Sequence, residues 1–341
     1  MDSNTNYENE AAYAPQTLTL PEVAECIRGM DPAGKTVILC HAHPDGDAVG
    51  SAEGLRLILK ALHMEAVCVC ADPVPAYLQS IPEVPFLHCP EPNDLPKFDN
   101  LFCVDTAQAY LLGSLSDWAP DVDLKLDHHM TGDDFAAFNF VDSTASAAGE
   151  IIFALAELLG VMNPQIAAAL YAAIASDTGC FRYSNTTAAT LRICATLFEQ
   201  GIDASAINTA LFESKELSLV KATALGINRM RLVHGGQVAL LLFTEAMKQE
   251  GGFTDDDLTD IVASLREISG VELAVLIRQS SKRSGEFRIS TRSKSRFDCT
   301  TLCGVFGGGG HLRAAGATVF APSPAEALRQ VSEQIDKLFD K

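Results

Sequence analysis

Short apolar runs alternate with longer stretches of helical spacing through the first half of the chain. Residues 36–40 are continuously apolar after Thr36, as a strand buried on both faces of a parallel sheet must be. Residues 48–62 follow, with Val49, Leu55, Leu59 and Leu62 at helical spacing. Residues 66–70, 101–104 and 122–126 repeat the strand texture. Residues 144–159 make an apolar helix ended by Gly160. Asn163-Pro164 opens another helix that runs to about Ser176, since proline suits a first helical turn. This alternation predicts an α/β domain built on a mostly parallel sheet.

The texture then changes. Residues 186–230 read as helical without a site-like cluster, and 206–230 are expected to link two domains. His234-Gly235-Gly236-Gln237 reads as a turn feeding a strand at 238–243. Residues 255–268 are amphipathic, with Leu258, Ile261, Val262 and Leu265 on one face. Strands are expected at 271–278 and 286–291, joined by a polar turn at 280–285, and a closing helix at 323–339. The chain thus divides into a polar tail at 1–17, expected to be disordered, a first domain at 18–205, the linker, and a smaller α/β domain at 231–341.

Composition narrows the class. The 341 residues are 48% hydrophobic and 20% charged, which excludes a wholly disordered chain. With 44 acidic and 25 basic side chains the net charge is −19, which argues against coating long duplex DNA. A small anionic substrate stays open, because metal ions or a local basic patch override the global sign. No apolar run approaches the roughly 20 residues a membrane span needs. The first residues, with Asp2, Glu8 and Glu10, lack the basic and apolar regions of a secretory signal. The ten cysteines lie scattered, several inside apolar runs, as reduced thiols in a cytoplasmic protein would. Cys299 and Cys303 have no second pair that would complete a zinc site.

Candidate chemistry concentrates at the predicted strand ends. His41-Ala42-His43-Pro44-Asp45-Gly46-Asp47 follows the first strand, where open parallel sheets place their ligands. Asp105 directly follows the strand at 101–104, and Asp127-His128-His129 the one at 122–126. Asp177 ends the helix at 164–176, in Ser176-Asp177-Thr178-Gly179. A lone aspartate after a strand is usually a cap or a turn residue, but three strands ending in carboxylates or imidazoles point to one site. Four carboxylates and two imidazoles without a thiolate favour manganese, magnesium or iron. Six ligands exceed what one catalytic ion with open positions takes. They suit two ions about 3.5–4 Å apart that share a carboxylate. Four aspartates offset two divalent cations, so the filled site would not repel a phosphate.

His41-x-x-Pro44-Asp45-x-Asp47, Val104-Asp105-Thr106, Asp127-His128-His129 and Ser176-Asp177-Thr178-Gly179 resemble, in order, the four motifs of the DHH phosphoesterase family. The resemblance implies that His41, Asp45 and Asp105 hold one divalent ion, manganese first among the candidates. Asp47, Asp105, His128 and Asp177 would hold the second, with Asp105 bridging and a hydroxide between the ions as nucleophile. It also implies that His129 faces the substrate phosphate and that Asp127 orients the histidines. His43 matches a variable position and reads as an exposed loop residue. Phe181-Arg182-Tyr183-Ser184-Asn185-Thr186 matches too; Arg182 would contact substrate, while Phe181 and Tyr183 read equally well as core aromatics.

Farther on, eight basic residues between Arg278 and Arg313 face only Glu286 and Asp298. A glycine run, Gly307 to Gly310, ends this stretch before His311; its amides could approach an anion, the more so if a helix started behind them. Gly308-Gly309-Gly310-His311-Leu312-Arg313-Ala314-Ala315-Gly316 resembles the signature of the DHHA1 domain that accompanies DHH domains. The resemblance implies that Gly308, Gly309, Gly310 and His311, with Arg292 and Ser293, bind substrate phosphate or bases, with the active site in the cleft between domains. A stand-alone pair of this kind is similar to the NrnA-like bifunctional oligoribonucleases and pAp phosphatases. The expectation is hydrolysis of short RNA (nanoRNA) and of 3′-phosphoadenosine 5′-phosphate (pAp), with a homodimer possible. A cyclic di-AMP or pApA phosphodiesterase is the nearest alternative, and a nucleotide-sensing module without chemistry the non-enzyme one.

Overall fold

The structure is a computed structural model that describes residues 15–258 and 261–339. The chain divides into two compact units between Ser214 and Lys215.

The first unit runs β1 (Gln16–Thr17), α1 (Leu20–Arg28), β2 (Lys35–Leu39), α2 (Gly46–Ala61), β3 (Glu65–Cys70), β4 (Leu87–His88), β5 (Asn100–Val104), β6 (Leu124–Asp127), β7 (Phe138–Val141), α3 (Ala148–Leu159), α4 (Pro164–Asp177), α5 (Ala188–Glu199) and α6 (Ala204–Asn208). Its seven strands form one sheet in the order β1-β7-β6-β5-β2-β3-β4. All the pairings are parallel. Helices α1 to α5 pack on one face around Ile38, Phe102 and Leu126. A 3₁₀ stretch at Ala109–Asp121 covers the other, with Leu112 and Leu115 against Leu39 and Leu101.

The second unit runs α7 (Leu217–Arg229), β8 (Arg231–Val233), β9 (Val238–Phe243), α8 (Glu245–Gly251), α9 (Ile261–Arg266), β10 (Leu273–Gln279), β11 (Glu286–Ser293), α10 (Cys299–Gly304), β12 (Gly309–His311), β13 (Ala314–Phe320) and α11 (Pro324–Phe339). Its six-stranded sheet, β12-β13-β11-β10-β9-β8, is mixed, with β9 and β10 parallel and the rest antiparallel. One face packs on α10 and α11, the other on α7, α8 and α9.

Three boundaries differ from the sequence reading. Residues 16 and 17, placed in the disordered tail, form β1: Gln16 N–H donates to the Ala137 carbonyl and Leu18 N–H to that of Asn139, each at 2.9 Å. Such an edge pairing is made by backbone alone, so exposed polar side chains give no periodic signal; residues 1–14 of that tail lie outside the described residues. The segment 206–230 is not one linker. Ile207, Leu211 and Phe212 pack on the first unit's core, while α7 buries Ala222 in the second. The glycine run does not lead into a helix but into the hairpin of β12 and β13. A Cβ on Gly308 would lie 2.1 Å from the Gly316 carbonyl oxygen, and one on Gly310 2.5 Å from that of Ala314. These glycines are there because two backbones touch.

Among the described residues no helix is long and apolar enough to cross a membrane. All ten cysteines are free, and Cys299 and Cys303 are buried in the second unit's core.

Candidate active site

Six of the predicted site residues converge at the C-terminal ends of β2, β5 and β6. Asp45 caps α2, accepting hydrogen bonds from the backbone of Asp47 and Ala48 at 3.0 Å. That cap ends the loop from His41 and sets Asp47 in the first helical turn. Asp105 leaves β5 with φ of +49°, a left-handed conformation that a non-glycine residue holds only when its surroundings enforce it. Asp177 is the last residue of α4.

The approach of α2 to α4 brings Asp47 and Asp177 together. Gly46, Gly50 and Gly54 recur every fourth residue on α2, on one helical face. A Cβ on Gly46 would meet the Ser176 hydroxyl at 2.4 Å, and one on Gly50 the Ala169 carbonyl oxygen at 2.5 Å. The spacing was the signal in the sequence for this contact, and hydrophobic periodicity alone passed over it.

The donor atoms fall into linked groups. His41 Nε2 lies 3.8 Å from Asp45 Oδ1 and 3.6 Å from Asp105 Oδ2. His128 Nε2 lies 3.5 Å from Asp105 Oδ1 and 3.7 Å from both Asp47 Oδ2 and Asp177 Oδ2. These separations are too long for hydrogen bonds. They are shorter than the roughly 4.2 Å that two ligands of one ion can span at bonds of about 2.1 Å. Asp105 presents one oxygen to each group, and its buried Oδ1 accepts no hydrogen bond. Hard and borderline donors in this arrangement, with an orphaned carboxylate oxygen among them, fit divalent cations.

Without cations the cluster holds protons instead. Burial works to raise the Asp105 carboxyl, but the imidazoles of His128 and His41 keep it well below the usual carboxylate range. Asp45 is likewise lowered: burial opposes, and its His41 contact prevails. Burial and the charge of Asp105 push Asp47 up to about 7. Burial and Asp47 push Asp177 well up. Burial opposes charging of His128, but Asp105 and Asp47 raise it to about 11. His41 is raised in the same way by Asp105 and Asp45.

The support around the site was only partly legible. Asp47 also receives Ser51 Oγ–H at 2.7 Å and the Ala148 and Gly149 N–H groups at 2.7 and 3.1 Å, so it caps α3 from another helix. Asn185 joins two site loops by donating to the carbonyls of Ser146 and Asp177 at 3.0 and 3.1 Å. Asp127 was expected to orient both histidines. Its Oδ1 meets His129 Nδ1 at 2.6 Å, while the His128 ring faces the Ala145 carbonyl at 3.3 Å instead. His43 is an exposed loop residue, paired with Asp72 at 2.7 Å.

The expected phosphate-binding residues differ in their surroundings. Arg182 is exposed and folds its Nε onto the Gly179 carbonyl at 2.6 Å, two residues from Asp177. Arg292 lies half-buried on β11, with Nη1 on the Thr291 carbonyl at 3.0 Å. Ser293 departs from the expectation: it is buried and donates to the Phe297 carbonyl at 2.6 Å, so its hydroxyl belongs to a turn. The Gly308 N–H is also engaged, by the Cys303 carbonyl at 3.0 Å. Gly309 has open space where a Cβ would stand, and register places it opposite Gly316 and His311 opposite Ala314. The His311 side chain lies outside the described residues.

A parallel sheet that gathers carboxylates and imidazoles at its strand ends defines an α/β protein with side-chain clusters that could hold metal ions. The chain belongs to the DHH family. It matches that family's N-terminal domain over residues 35–174 and the DHHA1 domain over residues 236–341. A relative from Thermus thermophilus, a bifunctional oligoribonuclease and PAP phosphatase NrnA, is 31% identical with 92% of each chain covered. The protein of the same name from Bacillus subtilis is 27% identical, covering 89% of this chain and 95% of its own. The crystal structure of an exopolyphosphatase-related protein from Bacteroides fragilis superposes with a TM-score of 0.84 at 22% identity, covering 94% and 97% of the two chains. This last likeness is one of fold.

Proposed function

We propose that the chain is a metal-dependent phosphoesterase that hydrolyses short oligoribonucleotides and pAp. The observation that carries this reading is the Asp105 carboxylate, shared between the His41–Asp45 group and the His128 group. The names of the two relatives supply the substrate class. His41, Asp45 and Asp105 would hold one cation; Asp47, His128, Asp177 and Asp105 the other, with manganese the first candidate. When bound, two such cations supply neutralisation of phosphoryl charge and acidification of water.

The chain's own residues supply the rest. Asp127 fixes the His129 ring through Nδ1, and this imidazole would carry a proton toward the leaving oxygen. Arg182 and Arg292 offer guanidinium groups suited to bidentate phosphate contacts. Purified protein with manganese should release phosphate from pAp and mononucleotides from di- to pentaribonucleotides. The same panel carries pApA and cyclic di-AMP, and faster turnover of these would reassign the substrate. No hydrolysis of pAp or of the oligoribonucleotides refutes the proposal.

A further inference from the structure

Lys125 is a cation inside an apolar strand. It sits between Leu124 and Leu126 on β6 and is 1% exposed. Its register neighbours are Cys103 on β5 and Asn139 on β7. Burying an ammonium group is costly unless it is paired and hydrogen-bonded, so its partners show what it is for. Nζ donates to the Asp133 carbonyl at 2.7 Å, lies 5.1 Å from the centre of the Phe135 ring, and is 3.6 Å from Asp127 Oδ2. That oxygen is buried and accepts no hydrogen bond. The other oxygen of the same carboxylate holds His129 Nδ1 at 2.6 Å and the His128 N–H at 2.9 Å.

We propose that Lys125 is a positioning residue that orients His129 through Asp127. The terminal torsion of an aspartate is broad, and a carboxylate held on one side only can turn. With the ammonium beside Oδ2, Oδ1 stays aimed at His129. The same ammonium ties down the loop that follows His129, through Asp133, whose N–H donates to the Ala107 carbonyl at 2.8 Å. Lys125, Asp127 and His129 line one cavity of about 160 Å³, so the series runs from the sheet to the site histidine.

The proposal rests on reading His129 as the proton carrier, and a double-mutant cycle separates the two. Lys125→Met should lower kcat for pAp roughly 10–100-fold, the loss typical of residues that orient a site group, with KM and bound metal unchanged. Added to His129→Asn, it should cost nothing further. In ¹⁵N-histidine spectra of the metal-free protein, Lys125→Met should shift the His129 resonances and leave His41 in place. Lys125→Gln keeps a donor for the Asp133 carbonyl but not the charge, so it serves if the methionine variant does not fold, and the same losses are expected. Losses that multiply in the double variant, or a folded Lys125 variant with wild-type turnover or an unchanged His129 spectrum, overturn the role of Lys125 alone. Wild-type turnover by His129→Asn overturns the reading of the site, and this proposal with it.

Discussion

Asp105 combines three features that rarely coincide: near-complete burial, left-handed backbone and a carboxylate oxygen without a hydrogen bond. Each is unfavourable alone, and such features cluster where a site is held in shape for a ligand. Asp105→Asn keeps the size and tolerates left-handed backbone. It removes the charge shared by both ligand groups. We expect the variant to fold, to bind less metal, and to lose at least about 10²–10³-fold in kcat, as the loss of several kcal/mol of charge stabilisation implies. Metal stoichiometry by atomic absorption and turnover of pAp check this together; full activity refutes the sharing of Asp105. At this scale the ligand candidates were visible in the sequence because each stands directly beside an apolar run. Ser51 and Asn185 were not: the serine bonds Asp47 one turn back on its own helix, which a mid-helix serine gives no sign of, and the asparagine bond depends on what another segment presents.

Two helices, α2 and α4, bring Asp47 to Asp177, and glycine governs their approach. Replacing a helical glycine with alanine normally stabilises by about 1 kcal/mol. At Gly50 the added methyl would meet backbone atoms of α4, Ala169 O at 2.5 Å and Ala173 N at 2.8 Å, which cannot turn aside. Overpacking of this kind costs about 1–3 kcal/mol, so the net sign is destabilising. Gly50→Ala should therefore lower Tm by a few degrees and separate Asp47 from Asp177, weakening metal binding. Calorimetry and metal titration measure both; a raised Tm would show that α2 and α4 are not held by this contact. The second glycine cluster teaches the same lesson. The amides of Gly307 to Gly310 suit an anion by sequence, and in the structure Gly308 and Gly310 also serve the closeness of β12 to β13. From sequence the two uses look alike, because each needs a missing side chain.

At the scale of the molecule, the charge of −19 is in part the charge of a site. A cation held there would compete with protons. Asp47, raised to about 7, and Asp177, His41 and His128, raised as well, all hold protons near neutrality when no cation is present. A cation must displace those protons, so apparent affinity rises with pH and falls as the groups protonate. Manganese at about 100 times its Kd should stabilise the fold by about 2.7 kcal/mol. The gain in Tm should be larger at about pH 8 than at about pH 6, and chelation should reverse it. A gain independent of pH would show that manganese binds away from these groups.

The sequence by itself determined the α/β class, the existence of two domains and the identity of the candidate ligands. Those follow from periodicity and from residue types at strand ends, which are local properties. Tertiary structure decided which oxygen of Asp105 faces which imidazole, which histidine Asp127 holds, and that Ser293 and the Gly308 amide belong to turns. It also decided that a buried lysine lies beneath the Asp127 carboxylate. The Asp105 contacts depend on segments distant in the chain meeting at ion-pair range, and the short-range ones, such as Asp127 with His129 and Ser293 with Phe297, on side-chain rotamers and local backbone conformation, none of which a periodicity encodes.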